Sequence, residues 1–114
     1  MTELELNKYF WLAKEIEAIE LELSYNEMDY TNHGNREIAK QREEILKRKM
    51  GEAARELLNI EKYLDELDDP EMRLMLRMRY CLRMTWEAIG DEIFMSPSGA
   101  LRKCRKFLKK TSGS

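Results

Sequence analysis

From Tyr9 to Tyr30 a set of mostly apolar residues returns at alternating steps of three and four: Tyr9, Leu12, Ile16, Ile19, Leu23, Asn26 and Tyr30. The same rhythm runs through Leu46, Met50, Ala53, Leu57, Ile60, Leu64 and Leu67. A strand would scatter these positions over both of its faces, whereas a helix gathers them into one narrow seam. The pattern predicts two long helices, from about Thr2 to Tyr30 and from about Arg36 to Leu67. Each needs a partner along its length.

Phe10 and Trp11 widen the apolar face of the first helix, and Ile38, Ala39 and Ile45 carry the weaker early half of the second. Lys47-Arg48-Lys49 followed by Gly51 has the character of a helix end, since cations and then glycine suit a C-terminus. The seam nevertheless crosses Gly51 in phase and no proline follows. One helix is expected there, with a soft point costing about 1 kcal/mol relative to alanine. Thr31-Asn32-His33-Gly34-Asn35 has the composition of a turn. His33, the sole histidine, reads as a polar loop residue with no second imidazole to share a metal. Two seamed helices joined by so short a turn make an antiparallel hairpin. A two-helix layer is a thin core, which points to a homodimer through this arm, in the manner of a four-helix bundle. A monomer whose hairpin folds back on the C-terminal helices is the alternative.

Composition agrees with an all-α chain: 37% of the 114 residues are charged, 43% are hydrophobic, and there are only two prolines and five glycines. The net charge of −2 conceals a division. Residues 1–69 hold ten Lys/Arg against eighteen Asp/Glu, and residues 70–114 hold ten against four. Two regions with different tasks are expected: a helical hairpin over 1–67 for oligomerisation and a second unit over 68–110, with a tail at 111–114.

The second unit opens with Asp69-Pro70, a good N-cap followed by the residue best tolerated at the first helical position. Thr85 opens another helix, and Ser96-Pro97 opens a third by the same logic as the first. Only Phe94-Met95 separates the last two, which is a helix-turn-helix layout. In the third helix Ala100, Cys104, Phe107 and Leu108 form one apolar stripe. Arg102, Lys103, Arg105, Lys106, Lys109 and Lys110 occupy most of the rest, and no acid follows Glu92. A helix that buries one side and shows cations on the other suits a phosphate backbone. The bland reading is a lysine-rich helix end that complements its own dipole; the two capped helices at a tight turn favour the nucleic-acid reading.

From Asp69 to Lys109 the chain resembles region 4 of sigma-70-type factors, through Pro70-Glu71, Met78-Arg79-Tyr80, Trp86-Glu87-Ala88-Ile89-Gly90, Ile93, Ser96, Ala100 and Cys104. With its small size and long helical N-terminal half it is similar to phage transcriptional regulators of the ArpU and RinA type. The resemblance implies double-stranded DNA as partner, with contact to RNA polymerase as a further expectation. It implies that Ser96 caps a recognition helix, that Pro97, Ser98 and Gly99 face bases, and that Arg102, Lys103, Arg105, Lys106 and Lys109 lie near phosphates. Two departures stand out. The turn position often filled by glycine is Phe94, at a cost of about 1–2 kcal/mol if the turn is left-handed. The base-facing positions lack the Arg, Lys, Asn or Gln that make bidentate base contacts, so direct readout is thin and shape-based binding gains weight.

Cys81 and Cys104 lack ligand-like spacing and are expected as buried, reduced thiols of a cytoplasmic protein. There is no signal-like segment and no apolar run long enough to span a membrane. No phosphate loop, HExxH or Cys–His arrangement marks an enzyme, and no cofactor is implied. The expected function is DNA-binding transcription regulation of phage or prophage type by a dimer. An adaptor that binds protein, or a small terminase-like packaging component, are the alternatives.

Overall fold

A computed structural model of the chain describes residues 1–33 and 35–112, with the backbone alone over 29–33. The protein is all-α. Its helices are α1 (Glu3–His33), α2 (Arg36–Asp65), α3 (Pro70–Leu76), α4 (Trp86–Ile93) and α5 (Pro97–Thr111), with a π-helical turn over Arg77–Cys81 continuing α3. Each helix start has a chemical cause. Thr2 and Glu5 form a reciprocal capping box, the Glu5 N–H donating to Thr2 Oγ1 (3.1 Å) and the Thr2 N–H to Glu5 Oε1 (3.3 Å). Asn35 Oδ1 accepts from the Ile38 N–H at 3.3 Å, and Asp69 accepts from the N–H groups of Glu71 and Met72.

Residues 11–58 form one compact unit. Leu12, Ile19 and Asn26 of α1 are buried there with Ala39, Leu46 and Ala53 of α2, and the seam positions Ile16, Leu23, Met50 and Leu57 are half-buried; the Tyr30 side chain, expected in the same seam, lies outside the described residues. The Asn26 side-chain amide donates to the Ala39 carbonyl at 2.7 Å. This contact between residues on either side of the hairpin bend fixes the antiparallel sense.

Two boundaries and one seam assignment differ from expectation. Helix α1 runs to His33, so Thr31, Asn32 and His33 belong to the helix and not to a turn. These residues are only weak helix formers, each a few tenths of a kcal/mol below alanine-like residues, and none stops a helix as proline does. Gly34 and the His33 side chain lie outside the described residues. Helix α2 ends at Asp65 instead of Leu67, and the Leu67 N–H closes a tighter turn onto the Leu64 carbonyl at 3.3 Å. Of the residues expected along the early part of α2, Ala39 and Leu46 are buried in the seam, whereas Ile38 and Ile45 are exposed beside it. Helix α2 passes through Gly51 unbroken, and a Cβ there would meet nothing within 4 Å.

Residues 1–10 and 59–112 belong to the other unit. Its largest fully buried side chains are Leu6 from α1, Leu64 from α2, Met72, Met75 and Leu76 from α3, Ile89 from α4 and Cys104 from α5. Burying a side chain of this size stabilises by about 1.5–3 kcal/mol each. The Tyr9 hydroxyl donates to Glu61 at 2.6 Å; burial and that bond raise the Tyr9 pKa above its ordinary value. At the end of α2 an Arg77–Asp65 ion pair and the Arg73 guanidinium on the Leu67 carbonyl (2.7 Å) tie the connection to α3. Both cysteines are free thiols, Cys104 buried and Cys81 half-buried.

Two predictions arise from this packing. Asn26 is buried, and its Oδ1 has no hydrogen-bond partner among the described residues. Asn26→Leu removes that unmet acceptor and is expected to raise the unfolding free energy by about 1 kcal/mol, seen as a higher urea midpoint, while loosening the register that a lone polar seam residue enforces. A midpoint below that of the unmodified chain would contradict this. Burial pushes the Cys104 thiol up to about 11. A raised folded-state thiol pKa gives stability that is complete below the ordinary thiol range and lost as pH climbs toward 11. Urea unfolding between pH 8 and 11 should therefore show a decline larger by about 1–2 kcal/mol in the unmodified chain than in Cys104→Val.

Candidate nucleic-acid interface

The geometry is set at the turn between α4 and α5. Phe94 adopts the left-handed conformation, φ 59° and ψ 44°, and the Met95 N–H donates to the Gly90 carbonyl at 2.9 Å. Gly90 is buried against this turn. A Cβ on it would stand 2.4 Å from the Met95 carbonyl oxygen and 3.4 Å from the Pro97 nitrogen. Backbone thus meets backbone where any side chain would hold the two helices apart. The Phe94 side chain gains nothing in return, being 96% exposed.

Both helices beyond the turn are capped as the sequence suggested. Thr85 Oγ1 accepts from the Ala88 N–H at 3.1 Å, and Ser96 Oγ accepts from the Gly99 N–H at 3.0 Å. Ser96, Pro97 and Ser98 are exposed, and Gly99 is half-buried. A Cβ at Gly99 would lie 2.8 Å from the capping hydroxyl, so glycine there keeps the cap undisturbed. Along α5, Ala100, Cys104 and Leu108 are buried and Phe107 is half-buried, which is the apolar stripe of the spacing.

Five of the six basic residues of α5 divide into two groups. Lys103, on one flank, is paired with Glu71 of α3, and Arg105, on the other, lies 3.5 Å from Glu3 of α1. The Glu71 carboxylate raises the Lys103 pKa and keeps its charge. Arg102, Lys106 and Lys109 are exposed and lie opposite the buried stripe, by the helical period about half a turn from Cys104. The Arg102 Nε–H reaches back to the Ser98 carbonyl at 3.4 Å. Of the cations marked on sequence grounds, two therefore also clamp the fold, and three form an outward line that begins near the capped helix start.

A shallow recess of about 440 Å³ joins the starts of α4 and α5; Thr85, Trp86, Glu87, Pro97, Ser98 and Leu101 line it, with Arg79 at its wall. Arg79 stacks 4.8 Å from the Trp86 ring centre and donates to the Met84 carbonyl at 2.9 Å. Sequence reasoning gave Arg79 and Trp86 no site role. Their link depends on the π-helical turn and on Arg83, at φ 59°, neither of which has a periodic signature. Among the described residues no group of three or more His, Cys, Asp or Glu could hold a metal ion, and no helix is long and apolar enough to cross a membrane.

The turn can be tested in both directions. Phe94→Gly removes the left-handed penalty without losing buried surface and should stabilise by about 1 kcal/mol. Gly90→Ala should destabilise by about 3 kcal/mol, because the clash is with backbone. Thermal melts of the two variants read the difference, and equal melting temperatures would show that the turn does not control this unit.

No curated protein and no solved structure matches the chain. No family of the sigma-70 region 4 or ArpU type matches either. One family, described as a protein of unknown function (DUF1492) and found in general among phage proteins, matches residues 35–111, a span that takes in α2 and the whole of α3 to α5. With that share of its length covered, the chain belongs to the DUF1492 family.

Proposed function

We propose that this protein is a sequence-specific DNA-binding transcription regulator of phage or prophage type, engaging double-stranded DNA through α4 and α5 and acting as a dimer through its N-terminal helices. The observation that carries this reading is the outward line of Arg102, Lys106 and Lys109 beside a recess formed by two capped helix starts. The positive dipole ends of these two helix starts favour phosphate. Cations on the outer face add counterion release. Pro97, Ser98 and Gly99 offer few groups to base edges, so a dimer reading two half-sites and DNA shape supplies the specificity. Lys103 and Arg105 contribute charge from the flanks while holding α3 and α1.

Arg102→Glu with Lys106→Glu should weaken DNA binding at least tenfold and reduce the salt dependence by about two counterions, with the helical signal retained. Lys103→Glu should instead also lower the melting temperature, since it places an acid against Glu71. Fluorescence anisotropy over a salt series measures the first effect, and unchanged affinity would remove α5 from the interface.

A second reading, an adaptor that contacts RNA polymerase or another regulator, draws on Phe94. An aromatic side chain exposed at 96% on a strained turn is a ready contact for a protein partner. On that reading Phe94→Ser abolishes partner capture, and the paired Glu substitutions leave function intact.

A further inference from the structure

In the hairpin unit, five buried seam residues are each preceded by an exposed apolar one: Trp11 before Leu12, Ala18 before Ile19, Tyr25 before Asn26, Ile38 before Ala39 and Ile45 before Leu46. Successive residues are about 100° apart around a helix. In an antiparallel pair, one step back from the seam turns both helices toward the same side of the hairpin. Leu21 and Met28, at four before and three after Tyr25, extend the same face. Leu21, Tyr25, Met28 and Ile38 are each more than half exposed, and Ile45 is 44% exposed. The opposite side of the hairpin is lined by Glu20, Ser24, Lys40, Glu43 and Lys47, an ordinary solvated surface.

We infer that this apolar face is where a second copy of the chain docks, with α1 of one copy against α2 of the other; the inference rests on the dimeric reading above and assigns its surface. Charge selects the occupant and the arrangement. Between Trp11 and Met28, α1 carries one lysine against five glutamates, whereas Arg36 to Leu58 of α2 carries seven basic residues against five acidic ones. On the face itself Glu22 borders the apolar patch from α1, and Arg42 and Lys49 border it from α2. None of these three is in an ion pair among the described residues. A two-fold axis parallel to the helices keeps residues at their own height, and the Asn26–Ala39 contact puts Glu22 level with Arg42; it therefore lays α1 on the partner's α2 and brings Glu22 beside the partner's Arg42 twice over. A perpendicular axis would lay α1 on α1 and set glutamate against glutamate. Each face is about 27 Å long and two helices wide, roughly 500–600 Å² a side, enough to clear the ~1,000 Å² total of a specific interface.

The test uses the full chain in analytical ultracentrifugation, with circular dichroism as the check on folding. The unmodified chain should be a dimer at micromolar concentration, and Leu21→Glu with Ile45→Glu should be a folded monomer. Glu22→Lys alone and Arg42→Glu alone should each weaken the dimer about tenfold, since each replaces two attractive pairs by two repulsive ones. Mixing these two singly substituted chains should restore association, because only the mixed dimer regains opposite charges across the interface. A dimer untouched by Leu21→Glu with Ile45→Glu would overturn this face while leaving the dimeric reading in place. Single charge variants that associate as well as the unmodified chain would overturn the α1-on-α2 arrangement. A chain that stays monomeric at a hundred micromolar would overturn both and leave the face to a different protein.

Discussion

The close approach of Gly90 to the Met95 carbonyl is the constraint on which the rest of the C-terminal unit depends. It brings α4 and α5 near enough for Ile89 and Cys104 to share one core, and it obliges Phe94 to take a left-handed conformation that its side chain does not repay. Once the turn is closed, both capped helix starts open on one recess and the cations of α5 point outward from the stripe that anchors them. Packing and the candidate interface are in this sense a single device. The stripe fixes the rotation of α5, and that rotation decides which cations face out.

Much of this was legible in the sequence because it is local or periodic. Caps at Asp69, Thr85 and Ser96 depend on a side chain and the next few N–H groups, so residue type suffices to place them, aided at Asp69 and Ser96 by the proline that follows. Seam residues such as Leu12, Ile19, Leu46 and Ile60 follow from spacing alone. What escaped depends on contacts between distant parts of the chain. Leu6 is completely buried and Glu3 meets Arg105 only because the start of α1 packs with the C-terminal helices. The π-helical turn at Arg77–Cys81 buries Met78 and Tyr80 only two residues apart, out of step with the 3.6-residue period by which helices are read. Ile38 and Ile45 misled for the opposite reason: large and apolar, they outweigh Ala39 in any reading by hydrophobicity, yet the smaller residue lies in the seam.

The charge division finds a physical rationale in the same features. The basic half of the chain is also the half with three capped short helices, and its flanking cations are partly neutralised by Glu71 and Glu3, which leaves a narrow positive line and not a diffuse patch. The acidic α1, with only one lysine between Trp11 and Met28, is repelled by a polyanion and suits a protein–protein role. Membership of a phage-associated family of unknown function is compatible with regulation, adaptor binding and packaging alike, so the decision falls on what α5 touches.

The most direct measurement is selection of bound fragments from the source genome by the full chain, at low and at moderate salt. The outer face of α5 acting in a dimer predicts enrichment of one site with a repeated half, binding that weakens as salt rises, and loss of that enrichment when Arg102 and Lys106 are both replaced by Glu. No retained DNA even at low salt, or enrichment untouched by those substitutions, would contradict the assignment of this face to DNA.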